Sequence, residues 1–229
     1  MKQAVPRIPV ALQSPEVRTA FMTRVYARLV AAVALFVGLE WFLFTSGLAV
    51  AITQLVVGTS WLLILGGFML VSWLANSLAV RSGGEAAQWA GLVVLVAANA
   101  VVFAPLLLLA ELQVPGVVVQ AGQYAVVGFV GLSVIAVRSA RDFTWLGAAL
   151  RWIGLLALAA IVISVLTGAV LGTWFSLAMI AFAGAAILHD TQTILRTTPV
   201  GRETAAAMQL FSGVALLFWY LVRFLAERR

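Results

Sequence analysis

Cysteine is absent from the 229 residues, which excludes disulfides, thiolate metal centres and thiol catalysis and leaves the redox compartment unmarked. Histidine occurs once, as His189, so a centre built from several imidazoles is excluded too. Charge is scarce: charged residues make up 10% of the chain, against roughly 25% in an average soluble domain. Glycine-rich phosphate loops, metal-ligand clusters and a Gly-x-Ser-Gly nucleophile turn are missing as well. What is abundant is apolar: 64% hydrophobic residues and a mean hydropathy of +1.11 identify an integral membrane protein. The net charge of +6 and a pI near 11 do not point to nucleic acid, because the basic residues, all Arg except Lys2, are scattered at the edges of apolar runs.

A membrane span needs about 20 mostly apolar residues at 1.5 Å rise each. Runs near 25–45, 59–80, 87–110, 116–137, 144–166, 171–190 and 204–225 meet that length and predict an all-α fold of seven transmembrane helices. Thr45-Ser46-Gly47, Ser82-Gly83-Gly84, Pro115-Gly116, the Gly168 to Gly172 stretch, and Pro199 with Gly201 mark the breaks. The stretch 48–57 is too short to cross and is expected to be a loop or an interfacial segment. The polar, basic residues 1–24 read as an N-terminal arm, and the first apolar run is too long for a signal-peptide core, so it is expected to be a retained span. No repeat or linker divides residues 25–229, which read as one transmembrane domain.

Basic residues predict orientation. Lys2, Arg7, Arg18, Arg24 and Arg28 precede or open the first span, and Arg81, Arg138, Arg141, Arg196 and Arg202 lie in the second, fourth and sixth connections. The first, third and fifth connections have no Lys or Arg, so the N-terminus is expected in the cytoplasm. Arg223, Arg228 and Arg229 break the pattern, since seven spans would put them outside. The last helix therefore either crosses against the rule or is re-entrant.

Asp190 stands out in Ile187-Leu188-His189-Asp190-Thr191-Gln192-Thr193-Ile194-Leu195, at the end of the sixth run. Hydrocarbon does not solvate an ionised carboxylate, and a charged side chain at mid-bilayer costs from about 2.5 kcal/mol upward, which makes an intramembrane Asp a candidate for an ion or proton path. The plainer reading is an Asp that ends its span at the water interface. His189 points about 100° away from Asp190 on a helix and is expected to serve the helix terminus. Arg151, inside the fifth run, could snorkel to the surface or pair with Asp190, and Arg81 could do the same. Glu40 beside Trp41 and Glu111 at the end of the third run read as interfacial residues. Asn76, Asn99, Gln120, Gln123 and Gln209 read as interhelical hydrogen-bonding groups, and Gly128, Gly131, Gly184 and Gly213 as small surfaces for close helix contact.

The stretch Ile187-Leu188-His189-Asp190-Thr191-Gln192 resembles the apolar-aromatic-Asp-Thr-Gln element that closes the sixth helix in the Bax inhibitor-1 family. Arg24-Val25-Tyr26, Ser133 through Arg138, Phe143-Thr144-Trp145-Leu146-Gly147, and Leu217-Phe218 with Arg223 resemble further elements of that family in order and spacing. The resemblance is to a divergent, bacterial-type member and implies residence in the inner (plasma) membrane. It implies six helices around a central, C-terminal seventh. It also implies a pH-sensitive calcium or proton leak, or a role in suppressing cell death or modulating a membrane protease. The family's leak rests on two carboxylates that share a proton. The first is Asp190; aligned on Arg223, the second is replaced by Gly213 in Leu210-Phe211-Ser212-Gly213-Val214.

Two functions follow as expectations: a cation path, calcium or proton, involving Asp190, or a regulator without transport that binds a membrane protease or stress factor. An enzyme is not expected, because aspartyl intramembrane proteases need two membrane Asp residues and only Asp190 is available. The partners expected are the lipid bilayer and that ion or protease; no cofactor and no nucleic acid are expected.

Overall fold

A computed structural model describes residues 9–81, 84–139, 143 and 145–228; the side chains of residues 80 and 81 lie outside that description. Eight α-helices follow a short 3-10 turn at Val10–Leu12: α1 (Pro15–Thr45), α2 (Leu48–Val57), α3 (Trp61–Arg81), α4 (Glu85–Gln113), α5 (Val117–Arg138), α6 (Leu146–Thr167), α7 (Thr173–Thr197) and α8 (Glu203–Glu227). All but α2 are long and apolar enough to cross a membrane, in register with the seven runs of the sequence.

Local chemistry sets the ends. Ser14 caps α1 by accepting from the Val17 N–H, Pro15 starts the helix where its missing N–H costs nothing, and Glu16 complements the positive helix end. α1 therefore begins well before the apolar run at 25. At 31 residues it is about 46 Å long, more than the roughly 30 Å hydrocarbon core, so one end must stand clear of the lipid. Gly47, at φ 77°, turns α1 into α2, a conformation that a side chain would strain. The stretch 48–57, expected as a loop or an interfacial segment, is thus a helix, packed on α1 and α4 and burying Ala49 and Thr53. Glu111 caps the next turn: its carboxylate accepts from the Gly116 N–H at 2.7 Å and the Val118 N–H at 3.4 Å, fixing the start of α5.

The interior belongs to α8 and α4. Within their most apolar windows 56% of α8 and 50% of α4 are buried, against 6–22% for the other long helices. α8 packs against α1, α3, α4, α5 and α7, which makes it the central helix of the bundle. Its core includes Phe36 of α1, whose ring meets Phe103, Phe211 and Phe218 edge to face at 5.2–6.3 Å.

The last helix crosses in full. α8 starts beside α1, where Arg24 and Arg28 reach Glu203, and runs antiparallel to α7 to end beside that helix's start, where Ser176 Oγ donates to Glu227 at 3.2 Å. It is not re-entrant. Arg223 at this far end is no free tail charge: its Nε donates to Glu227 at 2.7 Å and its Nη2 to the Leu171 carbonyl. At the near end, the Val10 N–H donates to the Thr198 carbonyl at 3.0 Å, and Pro9 bridges to Pro199, so the chain before α1 is fastened to the α7–α8 turn.

Candidate functional site

The residues from His189 to Gln192 sit on the last two turns of α7, and because successive residues point about 100° apart, they reach different neighbours. Asp190 faces α8 and accepts a hydrogen bond from Gln209 Nε2 at 2.7 Å. His189 faces the start of α6: Nδ1 lies 3.2 Å from the Phe143 carbonyl, Nε2 lies 3.4 Å from Thr193 Oγ1, and the ring sits so close to Gly147 that a Cβ there would come within 2.7 Å. Gln192 accepts from the Phe143 N–H at 2.9 Å and donates to the Ala136 carbonyl of α5 at 3.3 Å. His189, Asp190 and Gln192 thus tie α7 to α5, the start of α6 and α8. Thr191 is fully buried among them, with its hydroxyl unpartnered.

Asp190 is half-buried, about 25 Å along α7 from Thr173. The group that meets it is neutral. Gly213 lies one turn further along α8, buried, and an added Cβ would stand 3.1 Å from Ile187 Cγ1, so the place of the family's second carboxylate is filled by packing. Arg151 is not a partner of Asp190: it is exposed, donates from Nε to the Gly147 carbonyl of its own helix at 3.2 Å, and among the described residues no ion pair joins the two. The Arg81 side chain lies outside the described residues. His189 serves the α6–α7 junction instead of the helix terminus alone.

Two features escaped the sequence reading. The first is an ion network at the end where α1 starts. Arg24 pairs with Glu203 at 3.1 Å; Arg28 pairs with Glu85 at 2.7 Å and Glu203 at 3.6 Å, donates to Thr204 Oγ1 at 2.7 Å and lies 5.6 Å from the centre of the Trp89 ring. It joins α1, α4 and α8, and the Glu203 side chain is only 6% exposed. In the sequence these arginines carried an orientation signal, and Arg24 a part of the family resemblance, but no pairing, since their partners lie far away in sequence. The second is Glu40, read as interfacial beside Trp41. Trp41 is exposed, but Glu40 is 7% exposed, and among the described residues neither of its carboxylate oxygens has a hydrogen-bond partner. Neighbouring residues on a helix point about 100° apart, and Glu40 lies on the buried face of α1 with Phe36 and Leu43.

Among the described residues no group of three acidic or imidazole side chains could hold a metal. Asp190 and Gln209 supply too few oxygens for a resident calcium, which takes six to eight. The arrangement is suited to passing a cation or proton, or to fixing helices.

A family profile described as Inhibitor of apoptosis-promoting Bax1 matches residues 18–229, nearly the whole chain. No curated protein matches it.

Proposed function

The chain belongs to the Bax inhibitor-1 family, and on that premise we propose that it is a membrane leak for calcium or protons with Asp190 on its path and Gln209 in the place of a second carboxylate. The observation that carries the reading is the 2.7 Å bond from Gln209 to Asp190, because it puts the one acidic residue of α7 against the central helix, where a shift of α8 would be felt. Glu40 supports it, as a second buried carboxylate left without a partner on α1. The two lie at different depths. Glu40 is about 24 Å along α1 from Arg24, whereas Gln209 is only about 9 Å along α8 from Glu203, which pairs with Arg24.

Gln209 changes the expected behaviour of the contact. Two carboxylates share one proton and repel when both ionise. An amide donates to a carboxylate and, turned over, accepts from a carboxylic acid, so the Asp190–Gln209 link can persist in both states. The leak is therefore a shallow function of pH. In proteoliposomes carrying a calcium dye, flux should differ between pH 6 and pH 8, and Asp190→Asn should remove the difference. Wild-type flux equal at both pH values ends the idea. The reading is of a nonenzymatic protein in a bacterial inner membrane, its N-terminus in the cytoplasm, in line with Arg18, Arg24, Arg28, Arg196 and Arg202 near one end of the bundle.

A second reading, a regulator that binds a membrane protease or stress factor without transport, is favoured by that neutral partner and by the packed Gly213. Crosslinking in native membranes separates the two: a stoichiometric partner without flux supports regulation, and flux without a partner supports the leak.

A further inference from the structure

The cavity of about 570 Å³ between α3, α4, α6, α7 and α8 lies away from Asp190 and has a built-in polarity. Along α3 its lining runs from Trp61 to Asn76, roughly 22 Å. The part from Trp61 to just short of Ser72 is walled mainly by apolar side chains, Leu65, Phe68, Phe103 and Ile161 among them, with Ser164 and Tyr220 as its polar members, while Ser72, Asn76, Asn99 and Ser212 line the rest. Arg223 borders the apolar part at the far end of the bundle. Trp61 stacks on Trp219 there with ring centres 5.9 Å apart, and Trp41 and Trp174 are exposed at the same end, as in the aromatic belt at a membrane surface.

The side of the cavity is loosely closed. α3 and α6 flank it and touch each other only sparsely, and α6 buries no residue; it turns Gly154, Ala157 and Leu158 toward the space. A tail can therefore enter from the bilayer between these two helices. The apolar part, about 16 Å deep, matches one leaflet of a hydrocarbon core about 30 Å thick. At its mouth Glu227 takes the Nε–H of Arg223 and the Leu171 carbonyl takes one Nη2 bond. A guanidinium has five N–H donors in a planar fork that suits phosphate oxygens, so donors remain for a headgroup.

We propose that this cavity is a binding site for one bilayer glycerophospholipid, with its phosphate on Arg223 and one acyl chain between α3 and α6. The site is separate from the leak reading, and its test needs no flux.

Native mass spectrometry of delipidated protein, titrated with phosphatidylglycerol, provides that test. One lipid per chain should bind saturably; Ala157→Trp, which fills the cavity from α6, should weaken binding at least tenfold, and Arg223→Gln at least fivefold. Because Arg223 also holds the α6–α7 connection, Leu65→Trp on α3 is the second cavity variant, with thermal melting of every variant recorded. Loss of the single bound lipid in a variant that melts like wild type supports the site. Binding without saturation, binding by both cavity variants as tight as by wild type, or retention of a free fatty acid or detergent molecule in place of phospholipid overturns it.

Discussion

Gln209 sets the charge of the group that meets Asp190. A carboxylate held by a neutral amide keeps its helix contact without a like charge to drive it apart, and the nearest change that restores such a charge is Gln209→Glu. Two carboxylates at that spacing share a proton, so this variant should show a several-fold steeper change of flux between pH 6 and pH 8 than wild type in the same proteoliposome assay. An unchanged profile would show that the contact is outside the path. Asp190 stood out in the sequence because a membrane carboxylate is rare and sits in a recognisable stretch. Its partner was not. Gln209 was one of several amides in or near spans, and which amide meets Asp190 depends on the rotation of α8, which is set by packing all around it. The burial of Glu40 was hidden for a related reason: neighbouring Trp41 marks an interface and says nothing of how far the residue beside it is packed into the bundle.

Spans are a property of length and composition, and all seven were legible; so was the failure of 48–57 to cross, although not that it folds into α2. Helix contacts are subtler. α3 and α4 share the most extensive contact in the bundle, and its closest point is Gly91, where an added Cβ would lie 2.6 Å from the Ala75 carbonyl oxygen and 3.3 Å from Ala79. That approach depends on small residues one turn apart on α3 facing a glycine on α4, a pairing that sequence alone does not make. Gly91→Ala must push the helices apart and should cost about 1–3 kcal/mol, read as a lower melting temperature in detergent. Gly66 faces open space on α3, so Gly66→Ala should instead stabilise by about 0.5–1 kcal/mol through helix propensity alone. If both substitutions moved the melting temperature alike, the close approach of α3 and α4 would be wrong. Of the glycines picked out by sequence for packing, Gly184 and Gly128 do lie against α5 and α8 side chains, whereas Gly131 faces open space.

At the scale of the molecule, an odd number of crossings puts the two ends of the bundle's chain on opposite sides. Charge alone left this open, because Arg223, Arg228 and Arg229 imitate a cytoplasmic tail. Arg223 pairs with Glu227, four residues on, and Arg228 lies over the Phe224 ring at 5.0 Å. The absence of native cysteine makes the point easy to check. Single substitutions Glu16→Cys and Arg228→Cys, both at exposed positions, should react with a membrane-impermeant maleimide from opposite sides of the membrane. Labelling of both from one side would rule out seven crossings.

The bridge from Pro9 and Val10 to Thr198 and Pro199 has a practical side. Whatever is fused ahead of Pro9 in an expression vector pulls directly on the turn that delivers α8 into the bundle, a few residues from Glu203 and its arginines. An affinity tag or a fluorescent reporter at the front of the chain therefore sits beside the turn that leads into the central helix, whereas a handle after Arg229 is remote from it.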